Sequence, residues 1–326
     1  MQTEWHPTCT LELLQLRAKL LAEIRAFFAG KGVLEVETPL LCTAIGTDPQ
    51  LDFFTCQPQM PTLPEQLYLQ TSPEFAMKRL LAAGSGSIYQ ICKAFRKGES
   101  GRHHNPEFSL LEWYRVGFQL PELMAEAAEL VTTLCQGRQT LQASQWFSYA
   151  DIFQQTTGLD ALNFSHSHYC HYASHNGLPE AIGLCGANHA LWLDMLFSHK
   201  VQPLLGRSAL CLVYGYPACQ SSLARLNADN PLITDRFELF INGVELGNGY
   251  YELANASEQD RRFSHELKLR QHAGLPAATK DTRLLAALES GLPDCSGLAI
   301  GIDRLLMVLS GHTHISQVLA FPISHA

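Results

Sequence analysis

No run of about 18 apolar residues occurs anywhere in the 326-residue chain, which leaves no candidate membrane-spanning helix. The first residues, MQTEWHPTCT, lack a basic stretch followed by an apolar core, so no secretory signal is expected. Cysteines number ten, at 9, 42, 56, 92, 135, 170, 185, 211, 219 and 295, yet no two stand as CxxC. That spacing argues against a zinc ribbon. Their scatter fits a reducing, cytoplasmic setting better than a disulfide framework. Positive charge is in short supply: 23 Lys and Arg face 31 Asp and Glu, a formal net charge of -8. A surface that wraps nucleic acid needs the opposite balance, so large-scale nucleic-acid wrapping is not expected, although a local basic cleft stays open. Internal repeats and low-complexity linkers are also absent. What is there, 46% hydrophobic and 17% charged residues, reads as a soluble globular chain with ample core.

The segment LELLQLRAKLLAEIRAFFA (11–29) places Leu13, Leu16, Leu20, Ile24, Phe27 and Phe28 at helical spacing, with Gly30 and Gly32 as the stop. VLEVETPLL reads as a strand ended by Pro39, and 47–66, rich in Pro, Gln and Thr, as a loop. LYLQTSPEFAMKRLLAAG predicts a strand, a cap at Thr71 or Ser72, and a helix with Pro73 in its first turn and Gly84 at its end. SIYQICKAF and FSLLEWYRVGF predict antiparallel strands joined by a long loop. PELMAEAAELVTTLCQG predicts an amphipathic helix, and 144–200 a helical insertion. The strands ALCLVYGYP, RFELFING and VELGNGYYEL follow, with Asn242-Gly243 as a type I′ turn. A charged helix, SEQDRRFSHELKLRQHAG, precedes a Gly-rich strand running into an apolar helix, GLAIGIDRLLMVLSG. Antiparallel runs with helices at either end indicate an α+β fold rather than a doubly wound parallel sheet. The whole chain, 1–326, reads as one domain carrying the insertion.

Five stretches invite chemistry. FRKGESGRHHNPEF (95–108) sets Arg96, Lys97 and Arg102 among two histidines and two glutamates, and ends on Asn105-Pro106-Glu107-Phe108. Arginine can fork onto phosphate oxygens and Phe108 can stack on a purine; a solvated charged hairpin with Phe108 in the core is the competing account. In VELGNGYYEL, Glu245 and Glu252 are seven apart, an odd separation that a regular strand would split between its faces. Gly247 and Gly249 around Asn248 predict a bulge that shifts this phase, and two carboxylates with an amide oxygen then suit Mg²⁺. A glycine-rich turn with exposed acids explains that stretch as well. In GLAIGIDRLL, Gly297 and Gly301 allow close approach of a ligand, and Arg304 falls in the first turn of the next helix, where a phosphate is favoured. An ordinary strand–helix junction capped by Asp303 is the alternative. Glu74 in TSPEF can take a substrate ammonium or simply answer the helix dipole. SHSHYCHYASH (165–175) puts His171 and His175 four apart beside Cys170; without a carboxylate or a second Cys/His pair at ligand spacing, solvated histidines are the better account than a metal site.

In this order, GVLEVETP, FRKGESGRHHNPEF and GLAIGIDRLL resemble motifs 1, 2 and 3 of class II aminoacyl-tRNA synthetases, and VELGNGYYEL is similar to the acidic strand of their lysyl branch. The resemblance runs from about residue 11 to 323. With the first catalytic helix starting near residue 11, no anticodon-binding barrel is expected ahead of it. HNPEFSLLEWYR, YPACQSSLA and GLPDCSGLAIGIDRL resemble the freestanding lysyl-type ligases that modify elongation factor P. The resemblance implies a class II synthetase-like antiparallel sheet flanked by helices and a homodimer built on motif 1. It implies activation of (R)-β-lysine or lysine with ATP and Mg²⁺, then transfer to the ε-amine of a lysine on elongation factor P. By position it implies Arg96 on the α-phosphate and Arg304 over adenine and on the γ-phosphate, both catalytic. Phe108 would stack on the base, Lys97, Gly98 and Asn105 would contact ATP, and Leu246 and Gly301 would line its site. Glu245 and Glu252 would hold Mg²⁺, Glu252 also lying near the substrate amine. Ser72, Pro73, Glu74, Tyr114 and Ala299 would line the amino-acid pocket. Ser72 and Ala299 replace the Ala and Gly usual in lysyl synthetases, a change suited to a β-amino acid, and Gly98 replaces a usual Glu.

Other classes fit parts of the chain. A shortened lysyl-tRNA synthetase is disfavoured by the missing barrel and the negative charge. A catalytically silent binding module is disfavoured by Arg96, Glu245, Glu252 and Arg304. An amide-forming enzyme with a free small acceptor is disfavoured by the lysine-type pocket residues.

Overall fold

The computed structural model describes residues 5–326; the first four residues of the N-terminal stretch examined for a leader lie outside them. Two compact units are formed, one from the chain up to Leu123 together with Glu252–Ala326, the other from Met124–Tyr251.

In the first unit the helix Leu11–Gly30 starts at Thr10, whose hydroxyl accepts the Leu13 N–H at 3.4 Å. It buries Leu13, Leu20, Ile24 and Phe28 along one stripe, while Leu16 and Phe27 are half-buried. The strand expected over VLEVETPLL is far shorter. Only Leu34–Glu35 pairs with the sheet, in parallel with Ile88 and Tyr89. Pro39 has no N–H to extend that ladder, and Leu41–Cys42 instead joins a small sheet with Leu67–Leu69 and Thr55–Cys56. The expected hairpin is present. Ile88–Phe95 and Glu107–Val116 pair antiparallel from Ile88↔Tyr114 to Phe95↔Glu107. The other edge of Glu107–Val116 pairs antiparallel with the Gly-rich strand Cys295–Gly301, Gly297 opposite Tyr114 and Ala299 opposite Glu112. Phe108, Leu110, Glu112 and Tyr114 therefore share one face of a central strand.

Helix Ile302–Leu309 follows without a side-chain cap. Asp303 is buried: its carboxylate accepts the Ser109 N–H at 2.6 Å and pairs with Arg17. That contact ties the first helix to the central strand, and no spacing in the sequence announces it.

The second unit is entered along helix Leu120–Cys135. Gln142–Ser148 pairs parallel with Ala209–Tyr214, which pairs antiparallel with Arg236–Ile241, and that with Val244–Tyr251. A parallel pair requires a crossover, and the helices Tyr149–Thr157, His166–His175, Glu180–Cys185 and His189–Leu196 supply it. Tyr149, Phe153, Tyr169, Trp192 and Phe197 form the aromatic core beneath them. Asn242 and Gly243 both have positive φ, 52° and 73°, as the expected type I′ turn demands. Within each unit the sheet is mostly antiparallel and helices accompany it, the α+β class expected.

Gly206 (φ +66°) packs so closely that a Cβ there would lie 2.5 Å from the Phe240 carbonyl oxygen. Gly206→Ala is expected to cost about 2 kcal/mol or more and to lower Tm by about 3 °C or more; an unchanged thermal denaturation curve would contradict this packing.

Candidate functional site

Four acidic or basic groups meet at one end of the first unit's sheet. Glu74 opens the helix Glu74–Ala82, and Lys78 stands one turn later, its stem buried under the same helix. The Lys78 Nζ lies 2.6 Å from Glu74 Oε1 and 2.6 Å from Glu252 Oε2. Glu252 is fixed by its own N–H on the Cys295 carbonyl, 3.0 Å. Glu112, in the middle of the central strand, accepts the Ser72 hydroxyl at 2.8 Å and the Tyr114 hydroxyl at 2.6 Å. Ser72 also accepts the Glu74 N–H at 3.1 Å. The helix therefore begins after Pro73, its cap residue, and neither Thr71 nor Ser72 is the N-cap expected. Gly297 makes room for the cluster: a Cβ there would lie 2.4 Å from the Tyr114 ring and 2.6 Å from Glu252 Oε1.

Burial pushes the Glu112 carboxyl up to about 8, with Glu74 and Glu252 adding to it and the Tyr114 and Ser72 hydrogen bonds opposing it. Burial also drives the Tyr114 phenol well above its ordinary value, with Glu112 adding to the effect. Lys78 behaves oppositely. Burial would pull its ammonium down, but Glu252 and Glu74 overcome this and raise it. The pocket thus holds a permanently charged lysine among carboxyls, a pattern typical of functional sites.

The expected phosphate-binding end lies along the same strand. Phe108 is six residues from Tyr114 on that face, roughly 20 Å away. The Arg96 guanidinium rests 5.1 Å from the Phe108 ring centre and its Nε donates to the Thr71 carbonyl at 3.4 Å. Arg96 Nη1 is 3.5 Å from Glu99, Glu99 is 3.9 Å from His104, and His104 is 2.6 Å from Arg304 Nη2. Two arginines 208 positions apart in sequence are so joined through one loop. Arg304 Nε donates to the His103 carbonyl at 3.2 Å. Gly98 has φ +81°, a conformation open to glycine and strained for the glutamate it replaces. Lys97 is exposed and 3.6 Å from Asp52. Asn105 is buried, its amide donating to Glu107 O at 2.7 Å and its oxygen accepting the Ile323 N–H at 3.1 Å, so its side chain secures the base of the loop. Gly301 closes the Gly-rich strand just before Arg304.

In the second unit the bulge expected in VELGNGYYEL is present, between Glu245 and Gly247, with buried Leu246 as the extra residue. Arg236 Nε donates to Asn248 Oδ1 at 3.2 Å and Arg236 Nη2 to Glu238 at 2.6 Å. Burial pushes Glu238 up to about 7, against the pull of Arg236 and with Glu245 adding to the rise. Of the histidines at 165–175, His175 bonds the His171 carbonyl and Cys170 faces His166 at 3.4 Å. Among the described residues no group of three or more His, Cys, Asp or Glu is placed to hold a metal ion.

Sequence reasoning missed Lys78 and Glu112. Both left a signal: Lys78 lies i+4 from Glu74, and Glu112 is the lone acid in the buried run SLLEWY.

This arrangement is that of a class II synthetase-type catalytic domain. The sequence matches the family described as tRNA synthetases class II (D, K and N) over residues 7–325, and the chain belongs to that family. Within it, the chain is similar over its full length to proteins named elongation factor P–(R)-β-lysine ligase. It is 44% identical to that of Vibrio vulnificus (strain YJ016), covering 99% of each chain. It is 43% identical to that of Pseudoalteromonas translucida (strain TAC 125), covering 99% of this chain and 98% of the relative, and 41% identical to that of Pasteurella multocida (strain Pm70), covering 100% and 99%.

Tyr114→Phe removes one of the two hydrogen bonds that hold the Glu112 carboxylate down. The Glu112 pKa is expected to rise further above about 8, measured by NMR titration of ¹³C-labelled glutamate; a fall would contradict the assigned geometry.

Proposed function

We propose that the protein is an AMP-forming ligase that activates (R)-β-lysine with ATP and transfers it to the ε-amine of a lysine on elongation factor P. The observation that carries this reading is a cluster of three carboxyls, Glu74 and Glu252 on Lys78 and Glu112 beside them. When all are ionised they leave two surplus negative charges, which complement a substrate bearing two ammonium groups. The full-length similarity to ligases of that name supports the same reading.

In the first step the substrate carboxylate attacks the α-phosphorus of ATP and pyrophosphate leaves. No protein nucleophile is required; positioning and charge neutralisation carry the step. Arg96 takes the α-phosphate and Arg304 the γ-phosphate. A purine stacked on Phe108 contributes roughly 1–3 kcal/mol, against roughly 0.5–1 kcal/mol for a partly exposed guanidinium on the ring. Nucleotide therefore displaces Arg96 from Phe108 and frees it for phosphate. Lys97, Gly98, Leu246 and Gly301 line the nucleotide, and Asn105 shapes its loop. Glu245 offers the hard carboxylate oxygen that Mg²⁺ takes alongside phosphate oxygens, and the ion would neutralise charge on the leaving pyrophosphate. Glu252, already shared with Lys78, belongs with the amine. In the second step the acceptor lysine amine attacks the acyl carbonyl and AMP leaves with the bond pair. Ser72, Pro73, Glu74, Tyr114 and Ala299 shape the amino-acid end. Leu34, Leu40 and Leu41, exposed to 56%, 38% and 45%, suit a homodimer through motif 1. The setting is the cytoplasm, where such a factor serves translation; tRNA is not a substrate on this reading.

Incubation of elongation factor P with the protein, ATP, Mg²⁺ and (R)-β-lysine is expected to add one lysyl mass to the factor, read by intact-mass spectrometry, while total tRNA stays uncharged. Charged tRNA with an unmodified factor would reverse the assignment.

Glu112 is largely protonated below about 8 in the empty pocket, and a diammonium ligand prefers its ionised form. Binding must then expel a proton at neutral pH, so affinity grows as pH rises. The KM for (R)-β-lysine in ATP–pyrophosphate exchange is expected to fall several-fold between about pH 6.5 and 8.5, and Glu112→Gln to flatten that profile.

A further inference from the structure

Lys78 is 1% exposed, yet its ammonium ends in the amino-acid pocket rather than at the surface. Its stem sits on the helix Glu74–Ala82, among Met77 and Leu81, where a hydrophobic residue would pack as well. Burying an ammonium there is costly unless it is paired, and both partners are pocket carboxylates: Glu74 at 2.6 Å and Glu252 at 2.6 Å. Each gives Lys78 one oxygen. The other oxygen of Glu252 lies over Gly297, at the place a side chain would fill. The remaining ionisable groups facing this cluster from the first unit are Glu112 and Tyr114, both on the central strand. An ammonium bound to one oxygen of each of two carboxylates orients both and leaves each a second oxygen.

We propose that Lys78 is a positioning residue that sets amine specificity: it holds the Glu74 and Glu252 carboxylates at fixed spacing in the empty pocket, so that their remaining oxygens receive the substrate's ammonium groups. This deepens the reading of the site as a diamino-acid pocket and rests on it. Lys78 touches no reacting atom. It places one positive charge between Glu74 and Glu252, so that a dication meets two carboxylates already held in place. Without it, mutual repulsion of the three neighbouring carboxyls draws protons into the pocket near neutral pH, and the substrate must displace them.

The test compares the unaltered protein with Lys78→Met, which keeps the stem, Lys78→Gln, which keeps N–H donors without charge, and Lys78→Arg, which keeps the charge. Binding of (R)-β-lysine is measured by calorimetry and KM and kcat by ATP–pyrophosphate exchange, both from pH 6.5 to 9. For Lys78→Met and Lys78→Gln, Kd and KM are expected to rise at least about tenfold at pH 7 and to recover several-fold by pH 9, with kcat changed less than about threefold; Lys78→Arg restores most of the affinity. A loss that is the same at every pH, accompanied by a lowered Tm, or no loss in either neutral variant, overturns the role of Lys78. Should Lys78→Met not fold, Lys78→Gln and Lys78→Arg decide the matter by their difference. Absence of lysine binding and exchange in the unaltered protein overturns the functional reading itself, and this inference with it.

Discussion

The register of one strand governs the chemistry of the first unit. Side chains alternate between faces, so a slip of one residue in Glu107–Val116 would turn Phe108, Glu112 and Tyr114 to the wrong side together. Three contacts prevent it. Ile88–Phe95 pairs along one edge, Cys295–Gly301 along the other, and Asp303 grips the Ser109 backbone N–H while holding Arg17 of the first helix. The last of these is a charged hydrogen bond in a buried place, where loss of one partner is expensive. The same acid lies in the first turn of the helix that carries Arg304, so the strand's alignment and the position of that arginine share one anchor.

Charge in the pocket follows from what that register delivers. Glu112 arrives in a strand whose neighbours are apolar, and burial alone would leave it neutral. Ser72 and Tyr114 counter this with hydroxyl donors, and Lys78 steadies the other two acids. The outcome is a site with one carboxyl near the point of ionisation and two committed to an internal cation.

Much of this was legible in the sequence because it was periodic or local. The helix at 11–29, the hairpin flanking the loop at 96–106, the Asn242-Gly243 turn and the bulge near Glu245 follow from spacing and from turn chemistry. The family follows from ordered motifs, since three of them in sequence constrain far more than any one. What escaped was non-local. Asp303 looked like a helix cap because its true partners, Arg17 and Ser109, lie 286 and 194 residues away. Lys78 escaped notice because nothing near it in sequence points to Glu252. The strand expected after Gly32 shrank because the small sheet claimed Leu41, a competition between pairing partners that local propensity does not register.

The linear layout of the site has a consequence for divergence. On the proposed reading, nucleotide-facing and amine-facing groups follow one another along one strand, Phe108 lying six residues, roughly 20 Å, from Tyr114. Substitutions at positions such as Ser72 or Ala299 can redraw the amine-facing end while Arg96, Phe108 and Arg304 continue unchanged. On that reading, a scaffold of this kind can change the amino acid it accepts while the residues proposed for ATP stay as they are.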